Sequence, residues 1–284
     1  MNDYLTIYIT KENSNITIKD YLSNLGVGKK IIHEYSQLRF FFVNGIPTHS
    51  MYQLKLHDIL EILLIDENDD EVSPNSIEIL YENSDYLAVK KPRGLLTHSD
   101  GLNKDHLTSR VAYYMQKKNY QHKVLPVHRL DVDTEGIVLF AKNFISLSYL
   151  SKLFEERKII KKYYAMVEGK INQSGVIDKP LSMNKKLNKM IVDPKGQPSK
   201  TSYKLIKYSN ENSILDITLH SGRTHQIRAH FSSIYHPIVG DSIYGNGGEK
   251  LELYAYYLEF IDYKTKEKVI IKDNIPYWLL YFFV

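Results

Sequence analysis

With 284 residues, 43% apolar and 25% charged, the chain can bury a core without staples, and its lack of cysteine excludes disulfides and thiolate metal sites. The N-terminal MNDYLTIYIT has neither the basic flank nor the apolar stretch of a signal peptide, and the apolar run at 278–284 is too short to cross a bilayer, so a cytoplasmic protein without membrane contact is expected. The net charge of +4 is unevenly spread: residues 1–75 hold 6 Lys/Arg against 11 Asp/Glu, and the remainder 31 against 22, a balance that suits either a phosphate-rich ligand or a solvated basic surface.

Thr17 predicts the cap of a first helix carrying Ile18, Tyr21, Leu22 and Leu25, with Asp20 in its first turn. Gly26 and Gly28 end that helix, and residues 29–35 form a second short one. Residues 40–43, the pair Asn44-Gly45 and residues 46–48 read as a hairpin with a tight turn, and 58–65 supply a further strand. The segment 66–76, DENDDEVSPNS, is acidic, contains Pro74 and has no apolar period. It reads as a linker between a small unit, 1–65, and a larger one, 77–284.

Beyond the linker, residues 77–81 and 86–90 are predicted strands joined by the turn residues Asn83, Ser84 and Asp85. Helices are predicted over 105–118 and 144–157, the second with Phe144, Leu147, Leu150, Leu153 and Phe154 on one face. Further strands fall at 163–167, 201–208, 213–219, 253–260 and 269–271. Many strands with few inserted helices and no βαβ regularity define an α+β class with a mixed, mostly antiparallel sheet.

Three clusters carry chemistry. In VHRLDVDTEGIVLFA (127–141), Arg129 and Asp131 precede a glycine turn and an uninterrupted apolar strand. Such a strand is buried on both faces. Asp131 therefore stands where a carboxylate is held firmly and partly desolvated, fit either to attack an electrophilic carbon or to cap a turn. Asp131, Asp133, Glu135 and Gly136 resemble the start of a calcium loop, but Lys142 occupies the twelfth position, where a bidentate Glu is required. In LHSGRTHQIRAHF (219–231), His225 and His230 are five apart, the wrong spacing for a zinc helix. Thr224 is the predicted cap of a short helix containing Gln226, and a turn with Arg223 and Arg228 suits a phosphate, a carboxylate or a salt-bridged surface. In KKYYAMVEG (161–169), strand alternation puts Tyr163 on one face, where its ring could stack on a base.

These segments together resemble the RluA family of pseudouridine synthases. The matching blocks stand in family order: KKPRGLLTH, HRLDVDTEG, KKYYAMVEG, GRTHQIRAHF with HPIVGDSIYG, then LYAYYLEF. The resemblance implies a pseudouridine synthase catalytic domain over 77–284. It implies an RNA isomerase that needs no cofactor and no metal. By position it makes Asp131 the nucleophile, sets Tyr163 against the target base, pairs Arg228 with the catalytic carboxylate and brings Arg129 to the RNA near a flipped nucleotide. A guanidinium beside Asp131 would favour its ionised form in a dry pocket. Two short helices, a VNG hairpin and a HDILEIL strand make residues 1–65 resemble a diverged S4-like RNA-binding domain, with Lys29, Lys30, His33 and Arg39 as its cations. That arrangement implies RNA of the large ribosomal subunit, of the 23S type, as partner of a monomeric enzyme. Glu135 stands where Ser is usual in the family, and Tyr254 where His is frequent. The competing reading is a non-catalytic RNA-binding or ribosome-assembly factor, which would share the basic and aromatic residues without needing Asp131, Tyr163 and Arg228 together.

Overall fold

The computed structural model describes residues 4–65 and 71–280; residues 66–70 of the predicted linker lie outside the described residues. The chain begins with β1 (Tyr4–Tyr8), α1 (Ile18–Asn24), α2 (Lys29–Gln37), β2 (Phe41–Val43), β3 (Ile46–Thr48) and β4 (Ile59–Leu63). The Thr17 hydroxyl accepts the Asp20 N–H, as an N-cap should. The hairpin turn puts Asn44 and Gly45 at φ 51° and 76°, the left-handed pair that a two-residue turn demands. The strand β1 was not foreseen. It pairs antiparallel with β4 in a four-stranded sheet ordered β1-β4-β2-β3.

The remaining elements are β5 (Glu78–Glu82), β6 (Tyr86–Lys91), α3 (Leu107–Lys117), β7 (Leu125–Pro126), β8 (Glu135–Ala141), α4 (Phe144–Glu155), β9 (Ile160–Glu168), β10 (Gly175–Asp178), β11 (Leu181–Asn184), β12 (Lys189–Val192), β13 (Lys200–Tyr208), β14 (Asn212–Leu219), α5 (Gln226–Ser232), β15 (Leu253–Ile261), β16 (Lys268–Lys272) and α6 (Tyr277–Leu280). The large sheet runs β10-β13-β14-β9-β15-β8-β6-β5, with β16 on β15 and β7 on β8. Among the described residues its one parallel contact joins β15 to β8 through Tyr254–Glu135 and Ala255–Gly136. The expected α+β class and mostly antiparallel sheet are therefore present. The small hairpin of β11 and β12 and the edge strand β10 escaped the sequence, being only four residues each.

Side-chain alternation explains the core. Along β8, Ile137, Leu139 and Ala141 enter one cluster, whereas Val138 and Phe140 enter another. On β6, Tyr86 and Ala88 likewise part from Leu87 and Val89. Both strands are thus buried on both faces, as the unbroken apolar sequence of β8 required. The first cluster is continuous with the N-terminal unit: Tyr21, Leu22, Tyr35 and Leu60 belong to it together with Leu139, Ile145 and Leu150. Tyr35 meets Phe144 at 4.9 Å between ring centroids, and Lys152 donates to the Asn24 carbonyl at 2.7 Å. The N-terminal unit and α4 thereby cover one face of the large sheet. Among the described residues, no helix is long and apolar enough to cross a membrane.

Candidate active site

The turn leading into β8 is pinned on both sides of Asp131. The carbonyl of Leu130 accepts from Thr97 Oγ1 at 3.3 Å, and that of Val132 accepts from Lys91 Nζ at 2.8 Å and from the Gly94 N–H at 2.9 Å. Lys91 is fully buried and donates also to Leu95 and Pro92 carbonyls, tying the KKPRG turn to the HRLD turn. Burial pushes its ammonium down to about 8, against the pull of Asp133, Asp131 and Glu135. His128 completes the anchoring: its Nε2 accepts the Leu139 N–H at 3.1 Å. Burial, then the nearby Lys161, push that imidazole down to about 3, so it stays neutral as an acceptor must.

With its neighbours' carbonyls engaged, Asp131 projects its side chain, 22% exposed, into a cavity of about 310 Å³. Arg228 from α5 brings Nη1 to 3.6 Å from Asp131 Oδ2. Its other bonds correct the simple pairing expected from sequence. Nε and Nη2 each donate to Asp241 at 2.8 Å, a two-pronged contact with a carboxylate that is completely buried. Burial alone would raise Asp241; the Arg228 guanidinium and the N–H groups of Ile243 and Tyr244 hold it below the usual carboxylate range. Asp241 thus orients Arg228, and the remaining prong is free for Asp131.

Tyr163, on β9, lies on the cavity wall and is 8% exposed. Burial, then the Asp131 charge, raise its phenol well above the ordinary value, keeping it protonated. Arg129 is exposed and lines the same cavity, as does the half-buried Arg223, whose Nε is buried without a hydrogen-bond partner. Lys29, Lys30 and Arg39 are exposed on the N-terminal unit and do not line the cavity.

The short helix starts differently from the expectation. His225, not Thr224, is its N-cap, in the left-handed region at φ 49° and without a side-chain cap bond. Gln226 instead secures the turn: its Oε1 accepts from Ser221 Oγ and the Arg223 N–H, and its Nε2 donates to the Lys200 carbonyl and Thr201 Oγ1. The left-handed step brings His225 Nε2 to 3.8 Å from Asp131 Oδ2, while Nδ1 lies 3.2 Å from the Tyr244 hydroxyl. Burial lowers the imidazole despite Asp131 beside it. His225, Asp241, Tyr244 and Lys161 are site residues that sequence reasoning missed; their blocks were visible, but the contacts among them span turns of irregular backbone. The two departures from family pattern sit together outside the cavity. Tyr254 and Glu135 are cross-strand neighbours, Lys90 lies 3.7 Å from Glu135 and 3.5 Å from Asp273, and the Tyr254 hydroxyl bonds Asp273.

A buried guanidinium holding a fixed carboxylate at the floor of a cavity with aromatic and cationic walls is a site for carboxylate chemistry on an anionic polymer. Residues 85–233 match the family model described as RNA pseudouridylate synthase. An uncharacterized RNA pseudouridine synthase of Bacillus subtilis (strain 168) is 30% identical over 89% of this chain and 87% of its own length. The ribosomal large subunit pseudouridine synthase D proteins of Yersinia pestis and Buchnera aphidicola are 36% and 38% identical over 65% and 67% of the chain. The chain spans 59% and 61% of the length of those two relatives. The solved structure of human RNA pseudouridylate synthase domain containing 1 shares the fold at TM-score 0.62 and 24% identity, over 72% of this chain and 86% of that one. The chain belongs to the RNA pseudouridylate synthase family, in its RluA branch.

Proposed function

We propose that the protein isomerises chosen uridines of large-subunit ribosomal RNA to pseudouridine, with Asp131 acting on the ribose. The observation that carries this is the placement of Asp131 Oδ2 3.6 Å from a buried guanidinium that a second carboxylate holds in place. A uridine stacked in RNA cannot reach Asp131, so it must be flipped out, at a cost of a few kcal/mol. Stacking on Tyr163 offsets about 1–3 kcal/mol of that cost, and Arg129 at the rim meets the strand.

Asp131 then engages the sugar, either by adding to C1′ as N1 leaves or by taking a sugar proton to give a glycal. In both routes the uracil turns while trapped and C5 bonds to C1′, with the Asp131–C1′ bond breaking in the first route and the abstracted proton returning to the sugar in the second; the C5 proton then departs. Tyr163 is protonated and does not compete with Asp131 as a nucleophile. Residues 77–284 form the catalytic domain in this reading. Residues 1–65 form an S4-like RNA-binding domain, joined by the acidic segment 66–76 and offering Lys29, Lys30 and Arg39 to RNA. The names of the relatives support the ribosomal substrate, and the working unit proposed is a cytoplasmic monomer.

Tritium release from ribosomal RNA labelled at C5 of uridine tests the proposal. Wild type should release tritium and Asp131→Asn should release none. Equal release by the two proteins would remove Asp131 from the chemistry, and no release from wild type would favour a binding factor.

A further inference from the structure

Beside the Asp131 cavity lies a second one of about 300 Å³. The two share Phe154, Lys161, Leu219, Gly222 and Arg223, so they are adjoining parts of one groove. Arg157, just past α4, lines the outer part. Resting on the isomerase reading, we infer that this second cavity is a phosphate subsite, in which Arg157, Lys161 and Arg223 hold a phosphodiester of the RNA strand next to the flipped nucleotide.

Three observations converge on it. Among the described residues, none of the three cations has a carboxylate partner; the Lys161 ammonium has only the Phe154 ring, 5.3 Å away, and Arg223 Nε has no hydrogen bond. The one carboxylate on the wall, Glu155, is exposed and makes no ion pair with any of them. Like charges brought together around a half-buried ammonium without a counter-ion are costly, and an anion reduces that cost. Burial first, and then Arg157, push the Lys161 ammonium down to about 8.

Gly222 is the third observation. A Cβ at that position would stand 3.3 Å from Lys161 Nζ, tighter than ordinary contact. Glycine keeps the space in front of the ammonium open, and Gly222 is itself exposed. A phosphate oxygen needs that space. The α4 helix behind the groove also touches the N-terminal unit. Lys152, on the last turns of α4, bonds the Asn24 carbonyl, just ahead of the exposed Lys29 and Lys30.

The test measures equilibrium binding of a uridine-containing RNA stem-loop in the Asp131→Asn background, so that the RNA is not altered, over 50 to 200 mM KCl. Adding Lys161→Gln or Arg157→Gln should make the slope of log affinity against log salt shallower by about 0.7 for each lost contact. Lys161→Arg should keep the slope, and the exposed Arg157 guards against a folding artefact at Lys161. Scanning the RNA with single uncharged methylphosphonates should find a position beside the target uridine that weakens binding to the parent but not further to Lys161→Gln. Unchanged slopes with intact RNA binding would overturn the subsite, while tritium release by wild type would still uphold the isomerase. Failure of the parent protein to bind RNA would overturn both. Inorganic phosphate displacing RNA better than chloride at equal ionic strength, an effect lost in Lys161→Gln, would assign the cavity to free phosphate instead of a strand.

Discussion

Arg228 holds two carboxylates at once, and they make different demands on it. Asp241 takes Nε and Nη2 and is fully buried; Asp131 meets only Nη1, at 3.6 Å, and is partly open to the cavity. A lysine keeps the charge but not the planar fork. Arg228→Lys should therefore lower tritium release by about 100-fold, the scale seen when one preorganised donor is removed. It should also destabilise the protein by about 1–3 kcal/mol, because Asp241 loses a buried partner. The sequence does not reveal Asp241 as the arginine's main partner, so this second effect follows only from the structure. Asp241→Asn should reduce activity by loosening Arg228 while Asp131 remains in place. Unchanged turnover and melting temperature in both variants would show that the buried pair does not position the site.

Among the elements, the entry to β8 governs where Asp131 stands. Gly136 has φ +125°, a region closed to side chains, and a Cβ there would stand 2.2 Å from the Ala255 carbonyl oxygen on β15. Gly136→Ala should force β8 and β15 apart at their parallel contact and cost about 3 kcal/mol or more. Chemical denaturation would read this as a lower midpoint, and an unchanged midpoint would mean that the junction yields freely. The strands and helices here were largely legible, because apolar runs of β6 and β8 and the helical period of α4 are local signals. The start of α5 was not. A left-handed His225 arises from the Gln226 bonds to Ser221, Arg223, Lys200 and Thr201, and these join two separate segments.

For the whole molecule, a single cluster of buried side chains runs from Leu60 and Tyr35 in the N-terminal unit to Leu139 and Leu150 in the large one. The two parts should unfold together, in one calorimetric transition. Tyr35→Ala removes a ring packed on Phe40, Phe41 and Phe144. It should cost about 3 kcal/mol and lower that single transition; two separated transitions in wild type would contradict the shared core. Acid should also weaken the fold above the range where carboxylates titrate. Burial lowers His98, His128, His225 and His230, with His128 brought to about 3. Below the ordinary histidine value of 6.5 the unfolded chain takes up protons that these rings refuse. Their contribution is therefore complete above 6.5 and fades on acidification, most for the enclosed His128 ring, by up to about 1.4 kcal/mol per pH unit for that ring. Urea midpoints equal at pH 7 and pH 5 would refute this.

The linear order of residues settled the α+β class, the doubly buried strand β8, the Thr17 cap, the Asn44-Gly45 turn and the blocks that carry Asp131, Tyr163 and Arg228. Each rests on periodicity, turn chemistry or motif, which act within a few residues. Tertiary structure alone decided that Asp241 orients Arg228, that His225 faces Asp131, that Lys161 and Arg223 open onto one groove, and that the N-terminal unit shares its core with the sheet. Those facts depend on which distant segments come to rest against each other, and burial, charge and hydrogen bonding choose among such contacts only once the whole chain has folded.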